Sequence, residues 1–328
     1  MNDVQKSYGL TDSRALNVLV TREFHAELID PLDAAYTLRH AYDKDERRTL
    51  LQQHGAEIGA VLTSGMVGLS ADEIALMPNL KVVQTFAVGY ETVDTAAAKK
   101  QGVIVCNTAG SNADCVADHA MGMMVAVTRK FVDFNNTAKA GTWDDVGNST
   151  PMVSGKKLGI VGLGAIGKTL ARRATGFDMT IGYRNRKPAK DVPYQYFDSV
   201  AALADWCDYL VTCTPGGAET NHMINADILK RIGPAGYYIN VARGSVADTD
   251  AIVAALNAGI IAGAGLDVLE SEPDVPESVR TAPNLMLTPH GAGRSFELEG
   301  RRVDLIRTNI ENVLTGKPAL TPVPEMGL

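Results

Sequence analysis

Cysteine is scarce: the 328 residues hold four, Cys106, Cys115, Cys207 and Cys213. None stands in a CxxC pair and their neighbours are apolar or small, which argues against a disulfide framework or a zinc site, so no metal ligand set is expected. They read as buried thiols. A basic excess is lacking too. With 31 Lys and Arg against 38 Asp and Glu, the formal net charge of −7 has the wrong sign for a non-specific nucleic-acid or anionic-membrane surface. Long apolar runs are also missing. "HAMGMMVAV" (His119–Val127) falls short of a bilayer span, and "MNDVQKSYGLTDSR" is polar where a secretion signal needs an apolar core. The expectation is a soluble, cytoplasmic protein with neither nucleic acid nor membrane as partner.

What is present is a 45% apolar content, enough at this length to fill more than one core. From Leu16 the short runs "LNVLVT", "IGAVLTS", "KVVQTF" and "GVIVCN" alternate with helical stretches such as "DERRTLLQQH" and "SADEIALM". That order implies right-handed βαβ units around a parallel sheet. The pattern from Asn112 to about Ala140 reads as one or two helices and breaks the repeat. The alternation then restarts with "KLGIVGLG", "DMTIGY", "DYLVTCT", "GYYINVA", "IAGAGLDV" and "NLMLTP", a second α/β sheet. A last helical stretch from Ser295 to about Leu314 would carry the chain back. Two domains follow as the expectation: residues 1–106 with 292–328 forming a discontinuous substrate-binding domain, and residues 107–291 a dinucleotide-binding domain. Both are expected to be doubly wound α/β sheets, with the active site in the cleft between them and the cleft closing on ligand.

Gly162, Gly164 and Gly167 form G-x-G-x-x-G between the strand "KLGIV" and the helix "AIGKTLARRA". The first glycine suits a tight turn, the second a close backbone approach to a pyrophosphate, and the third close helix-to-strand packing, while the helix start at Ala165 and Ile166 offers N–H groups. About 20 residues on, where an acid would hold an NAD ribose, the chain reads Tyr183, Arg184, Asn185, Arg186, Lys187. With no carboxylate in that turn, Arg184 or Arg186 could grip a 2′-phosphate as a fork. NADPH is the expected cofactor, with NADH weaker.

Three later strand ends, "INVARGSVAD", "AGLDVLESEP" and "LTPHGAG", supply Arg243, Glu272 and His290. A guanidinium can bind a keto acid's carboxylate and polarise its carbonyl, an imidazole can hand over a proton near neutral pH, and a carboxylate can orient that imidazole. In these motifs, in their order, and in "VGY" with Asp94 and "GKPALTPV", the chain from Leu16 onward resembles the D-isomer-specific 2-hydroxyacid dehydrogenase family. The resemblance implies two Rossmann/flavodoxin-like domains, Arg243, Glu272 and His290 as the catalytic set, and Val88 and Gly89 presenting N–H groups to the substrate carboxylate. It also implies Asp267 at the nicotinamide carboxamide, with Thr214, Pro215, Val241, Ala242 and His290 along the cofactor. Arg294 is uncommon at its place and is a candidate for a polar substrate tail. The other histidines, His25, His40, His54, His119 and His222, read as structural or solvent-facing.

The Arg-rich strand end, "TPGGAET" and "LTPVPE" look most similar to NADPH-dependent glyoxylate/hydroxypyruvate reductases, with 2-ketogluconate and hydroxyphenylpyruvate reductases as alternatives. The resemblance also implies a homodimer, for which the Asn112 helix and the Trp143 loop are the expected interface. From another class, a non-enzymatic dinucleotide-sensing corepressor-like protein shares the fold. Its expected mark is a long partner-binding tail, whereas this chain is expected to end soon after its last helix.

Overall fold

A computed structural model of the chain describes residues 16–143 and 149–328. The polar N-terminal stretch and part of the loop after Trp143 lie outside the described residues. The chain divides into two compact units: everything up to Ser111 together with Ser295–Leu328, and Asn112–Arg294.

The first unit is built on five parallel strands, β1 (Asn17–Val20), β2 (Thr37–His40), β3 (Ile58–Thr63), β4 (Val82–Thr85) and β5 (Ile104–Cys106), in the order β2-β1-β3-β4-β5. Central β3 is buried at all six positions, which is why it reads as an unbroken apolar run. Edge strand β2 is exposed or half-buried throughout. Helix starts are set by side chains: Asp43 accepts from the N–H groups of Asp45 and Glu46, Ser70 and Glu73 form a capping box, and Asp94 accepts from Ala97. The returning helix Phe296–Leu314 buries Val303, Ile306, Ile310 and Leu314, three or four residues apart, against Leu28, Leu32, Ala60 and Val82. Each such side chain contributes about 1.5–3 kcal/mol. Fully buried Asn309 fixes the helix in register by donating to Gln84 Oε1 (3.0 Å) and Thr321 Oγ1 (2.8 Å).

The second unit starts with the helices Ala113–Thr128 and Phe131–Lys139, separated at Lys130 by a backbone of φ 51°. Seven parallel strands follow: β6 (Lys157–Val161), β7 (Thr180–Arg184), β8 (Gln195–Tyr196), β9 (Tyr209–Thr212), β10 (Tyr237–Asn240), β11 (Gly263–Leu266) and β12 (Leu285–Leu287). Their order, β12-β11-β10-β9-β6-β7-β8, reverses direction between β6 and β9. The loops leaving those two strands therefore part and open a crevice at the carboxyl edge, where doubly wound sheets bind ligands. The helix Ala113–Thr128 places Val116, Ala117, Ala120, Met123, Met124 and Val127 in this unit's own core, so its apolar face is taken up there.

The unit boundaries fall at 111/112 and 294/295 rather than at 106/107 and 291/292. Hydrogen bonds explain the displacement. Asn107 N–H donates to Thr321 O and Thr108 N–H to Ala87 O, tying the segment after β5 to the first unit. At the other end Ala292 N–H donates to Asp267 Oδ2 (3.0 Å) and Arg294 N–H to Gly291 O, which keeps Ala292–Arg294 with the second.

Candidate active site

The turn after β6 begins at Gly162, whose φ of 99° lies in the left-handed region that favours glycine. A Cβ at Gly167 would stand 2.2 Å from the Gly162 carbonyl oxygen, so the helix Ala165–Ala174 lies against the turn only because residue 167 has no side chain. Gly164 differs. A Cβ there would meet nothing within 4 Å, so packing inside the protein does not demand glycine. The open space fronts a helix N-terminus with no acid in its first turn and no side-chain cap, which leaves N–H groups and the positive dipole end for an anion. These residues fit a dinucleotide, whose pyrophosphate Gly162, Gly164, Ala165, Ile166 and Gly167 could hold.

At the end of β7 the side chains divide. Asn185 Oδ1 accepts the Leu163 N–H (2.7 Å), pinning the glycine turn to the neighbouring strand. Arg184 turns inward, with Nη1 3.1 Å from Tyr196 Oη and its guanidinium over that ring. Arg186 reaches solvent with a side chain 90% exposed, and Glu219, from the loop after β9, lies 3.5 Å from its Nη1. Of the two arginines, Arg186 is thus the one open to a 2′-phosphate. The turn itself has no acid, but a neighbouring loop brings one to it.

The loops after β9, β10 and β11 carry the remaining groups. Thr214 and Pro215 follow β9, and the Pro215 carbonyl accepts from Thr220 Oγ1 (2.9 Å). Buried Asn240 organises the turn after β10: Oδ1 accepts from Ala242 N–H (3.0 Å) and Thr212 Oγ1 (2.9 Å), and Nδ2 donates to Arg243 O (3.1 Å). That fixes Val241, Ala242 and the half-buried Arg243, whose Nη1 donates to Ala242 O (2.8 Å). A Cβ at Gly244 would stand 2.1 Å from the Leu269 carbonyl, so the Arg243 turn packs directly on the backbone that leads to Glu272.

Glu272 holds two donors. Oε1 accepts the Leu269 N–H (2.9 Å), and Oε2 lies 2.8 Å from His290 Nδ1. An ionised carboxylate only accepts, so Nδ1 carries hydrogen and Nε2 is directed away. His290 itself sits at φ 49°, a conformation costing a non-glycine residue about 1–3 kcal/mol unless its surroundings impose it. Here Asp267, 3% exposed, imposes it. Its Oδ1 accepts from Thr288 Oγ1 (2.5 Å) and Gly291 N–H (2.8 Å) and its Oδ2 from Ala292 N–H, while its backbone carbonyl takes the His290 N–H (2.8 Å). His119 Nε2 reaches Thr288 Oγ1 at 2.9 Å.

Val88 and Gly89 belong to the first unit. The Val88 carbonyl accepts from Asn107 Nδ2 (2.8 Å), and neither residue's N–H has an acceptor among the described residues. Arg294 is exposed at the last position of the second unit.

The sequence model of the D-isomer specific 2-hydroxyacid dehydrogenase, NAD binding domain, matches residues 121–292. The chain belongs to the D-isomer-specific 2-hydroxyacid dehydrogenase family. It is 37% identical over 311 residues to hydroxyphenylpyruvate reductase of Plectranthus scutellarioides, covering 94% of this chain and 99% of that one. Glyoxylate/hydroxypyruvate reductase A of Arabidopsis thaliana is 34% identical over 310 residues, again with 94% and 99% covered. Among solved structures, the NADPH-dependent glyoxylate/hydroxypyruvate reductase of Sinorhizobium meliloti in complex with NADP and malonate has a TM-score of 0.86 at 32% identity, over 95% of this chain and 98% of that one. Membership of the 2-hydroxyacid dehydrogenase family makes the protein an oxidoreductase with a nicotinamide dinucleotide cofactor. No helix among the described residues is long and apolar enough to cross a membrane.

Sequence reasoning about this dehydrogenase missed Asn240, the loop-holding role of Asp267, and the contacts of His119 and His222. Each joins segments far apart in the chain. The one available signal was Asn240 itself, a polar residue at the end of an otherwise apolar strand.

Proposed function

We propose that this dehydrogenase reduces small 2-keto acids, glyoxylate and hydroxypyruvate foremost, to the 2-hydroxy acids, of D configuration wherever the product is chiral (glycolate, from glyoxylate, is not), with NADPH preferred to NADH. The observation that carries the reading is the His290 ring. Glu272 holds Nδ1 at 2.8 Å, while Nε2 has no partner among the described residues and is the atom available to give up a proton. The nicotinamide, when bound, supplies the hydride that reaches the keto carbon. Arg243 pairs with the substrate carboxylate and draws the carbonyl electrons toward oxygen, and His290, entering as the imidazolium with hydrogen on both ring nitrogens, passes the Nε2 proton to that oxygen as negative charge builds there and is left neutral with its hydrogen on Nδ1. Glu272 keeps the ring oriented throughout. In the first unit, the Val88 and Gly89 N–H groups, which have no acceptor among the described residues, support an anion-binding role for their turn.

The NADPH preference is supported by Arg186 and by the lack of an acid between Tyr183 and Lys187. The Plectranthus relative supports hydroxyphenylpyruvate as a second substrate. A homodimer is part of the proposal, and the exposed Phe131, Val132, Trp143 and Met152 support an interface beside rather than along the Asn112 helix. Four free cysteines suit a reducing, cytoplasmic compartment. The test is catalytic efficiency with NADPH and NADH on glyoxylate, hydroxypyruvate, pyruvate, hydroxyphenylpyruvate and 2-ketogluconate, with chiral analysis of the glycerate formed. D-Glycerate is expected, and an L product would overturn the assignment.

A further inference from the structure

Three strand-end loops of the second unit meet at His222. Its backbone is left-handed at φ 49°, its N–H donates to Ser245 O (2.8 Å), two residues beyond Arg243, and its Nε2 lies 2.5 Å from Glu270 Oε1. The other Glu270 oxygen accepts the Thr249 N–H (3.0 Å) at the start of the helix Thr249–Asn257. Glu270 stands in the turn Leu269–Glu272, which also carries the Glu272 carboxylate held against His290. That turn is therefore held at Glu270 by His222 and Thr249, and two residues on, at Glu272, it meets His290.

We infer that His222 is a positioning residue: by holding Glu270 it keeps the turn Leu269–Glu272 in place, and with it the carboxylate that orients His290. The inference rests on the reductase mechanism proposed above. The acids facing His222 are Glu270 and Asp248, and the hydrogen bond and charge of Glu270 raise the imidazole above its ordinary pKa. Partial burial works against ionisation of Glu270, but the bonds from Thr249 and His222 outweigh it and hold the carboxyl below the usual range. Both shifts favour the ion pair. With side chains 43% and 32% exposed, such a pair does little for global stability. Its effect is local, on a turn whose small displacements matter because the reacting geometry is strict.

The test uses His222→Asn, which keeps a residue tolerant of left-handed backbone and removes the ring's reach, and His222→Arg, which restores a cation to Glu270. At saturating NADPH, His222→Asn should lower kcat on hydroxypyruvate about three- to tenfold, as expected for loosening a positioning contact rather than deleting a reacting group. The KM for NADPH and the melting temperature should stay native, the Leu269–Glu272 amides should exchange hydrogen faster, and His222→Arg should recover most of the rate. In a Glu272→Gln background, His222→Asn should lower kcat no further. Native kcat and native exchange in His222→Asn, or full additivity with Glu272→Gln, would overturn the inference while leaving the mechanism standing. A Glu272→Gln variant with native kcat would instead sink the mechanism, and the inference with it.

Discussion

Alanine at Gly164 and alanine at Gly167 should have opposite consequences, although both replace a glycine of one turn. At Gly167 the new Cβ would stand 2.2 Å from Gly162 O and 3.1 Å from Ile160 Cγ2. A carbon needs about 3.3 Å from a carbonyl oxygen, so the turn backbone would have to yield by roughly 1 Å. Overpacking of that kind costs about 1–3 kcal/mol, partly offset by the roughly 1 kcal/mol that alanine gains over glycine inside a helix. The net loss of up to about 2 kcal/mol corresponds to a fall of up to roughly 8 °C in melting temperature for a domain of this size. At Gly164 the backbone, φ −84° and ψ −154°, is extended and accessible to alanine, and the methyl group would enter open space. Stability should move by no more than about 0.5 kcal/mol. The same methyl would fill the approach to the pyrophosphate, and NADPH binding should weaken about tenfold or more, some 1.4 kcal/mol. Calorimetry and fluorescence titration with NADPH read the two effects separately. Native NADPH affinity in Gly164→Ala would refute the assignment of that space to cofactor. A melting loss matching that of Gly167→Ala would show that Gly164 serves packing.

Cofactor choice should respond to Arg186. Neutral replacement of Arg184 and Arg186 together should raise the KM for NADPH about ten- to hundredfold, since a charge-assisted bond is worth roughly 1.5–3 kcal/mol. The KM for NADH should change little, and Arg186→Gln alone should carry most of the effect; equal changes for both cofactors would mean the loop only shapes the adenosine site. In the first unit, Arg47→Met should destabilise by about 3–5 kcal/mol, because Arg47 Nε lies 2.6 Å from Glu73 Oε1 with both side chains nearly buried. A denaturation loss below about 1 kcal/mol would contradict a buried pair. Burial pushes the Cys106 and Cys207 thiols up to about 12. Because the unfolded chain releases these protons near the ordinary value of about 8.5, it binds fewer than the folded chain at higher pH, and stability falls from there toward pH 12. A Cys106→Ala/Cys207→Ala variant should lose less melting temperature between pH 8 and pH 10.5 than the parent protein, and an identical loss would exclude the thiols as the cause.

What was legible in the sequence is what local physics demands. Strand β3 reads clearly because both its faces are buried, and the glycine turn reads clearly because two of its three glycines are required by backbone geometry. Arg243, Glu272 and His290 were visible as strand-end residues of the right chemistry in a known order. Strand β2, "TLRH", was not visible, because an exposed edge strand needs no apolar run, and two-residue β8 is too short to leave a pattern. That second omission had a consequence: Tyr196 on β8 is what turns Arg184 inward, so the two arginines looked equivalent until the strand was placed. The Asp267 cradle and the His222 contact were hidden for another reason. Both join loops that follow different strands, and no spacing in the chain encodes which strand ends become neighbours.

The claim at the centre of the account is that His290 gives the proton. Turnover of hydroxypyruvate by His290→Ala, measured beside NADPH affinity, tests it most directly. A loss of about 100-fold or more in kcat with NADPH binding unchanged is the predicted result. Near-native turnover would contradict it, and the proton would have to come from another group.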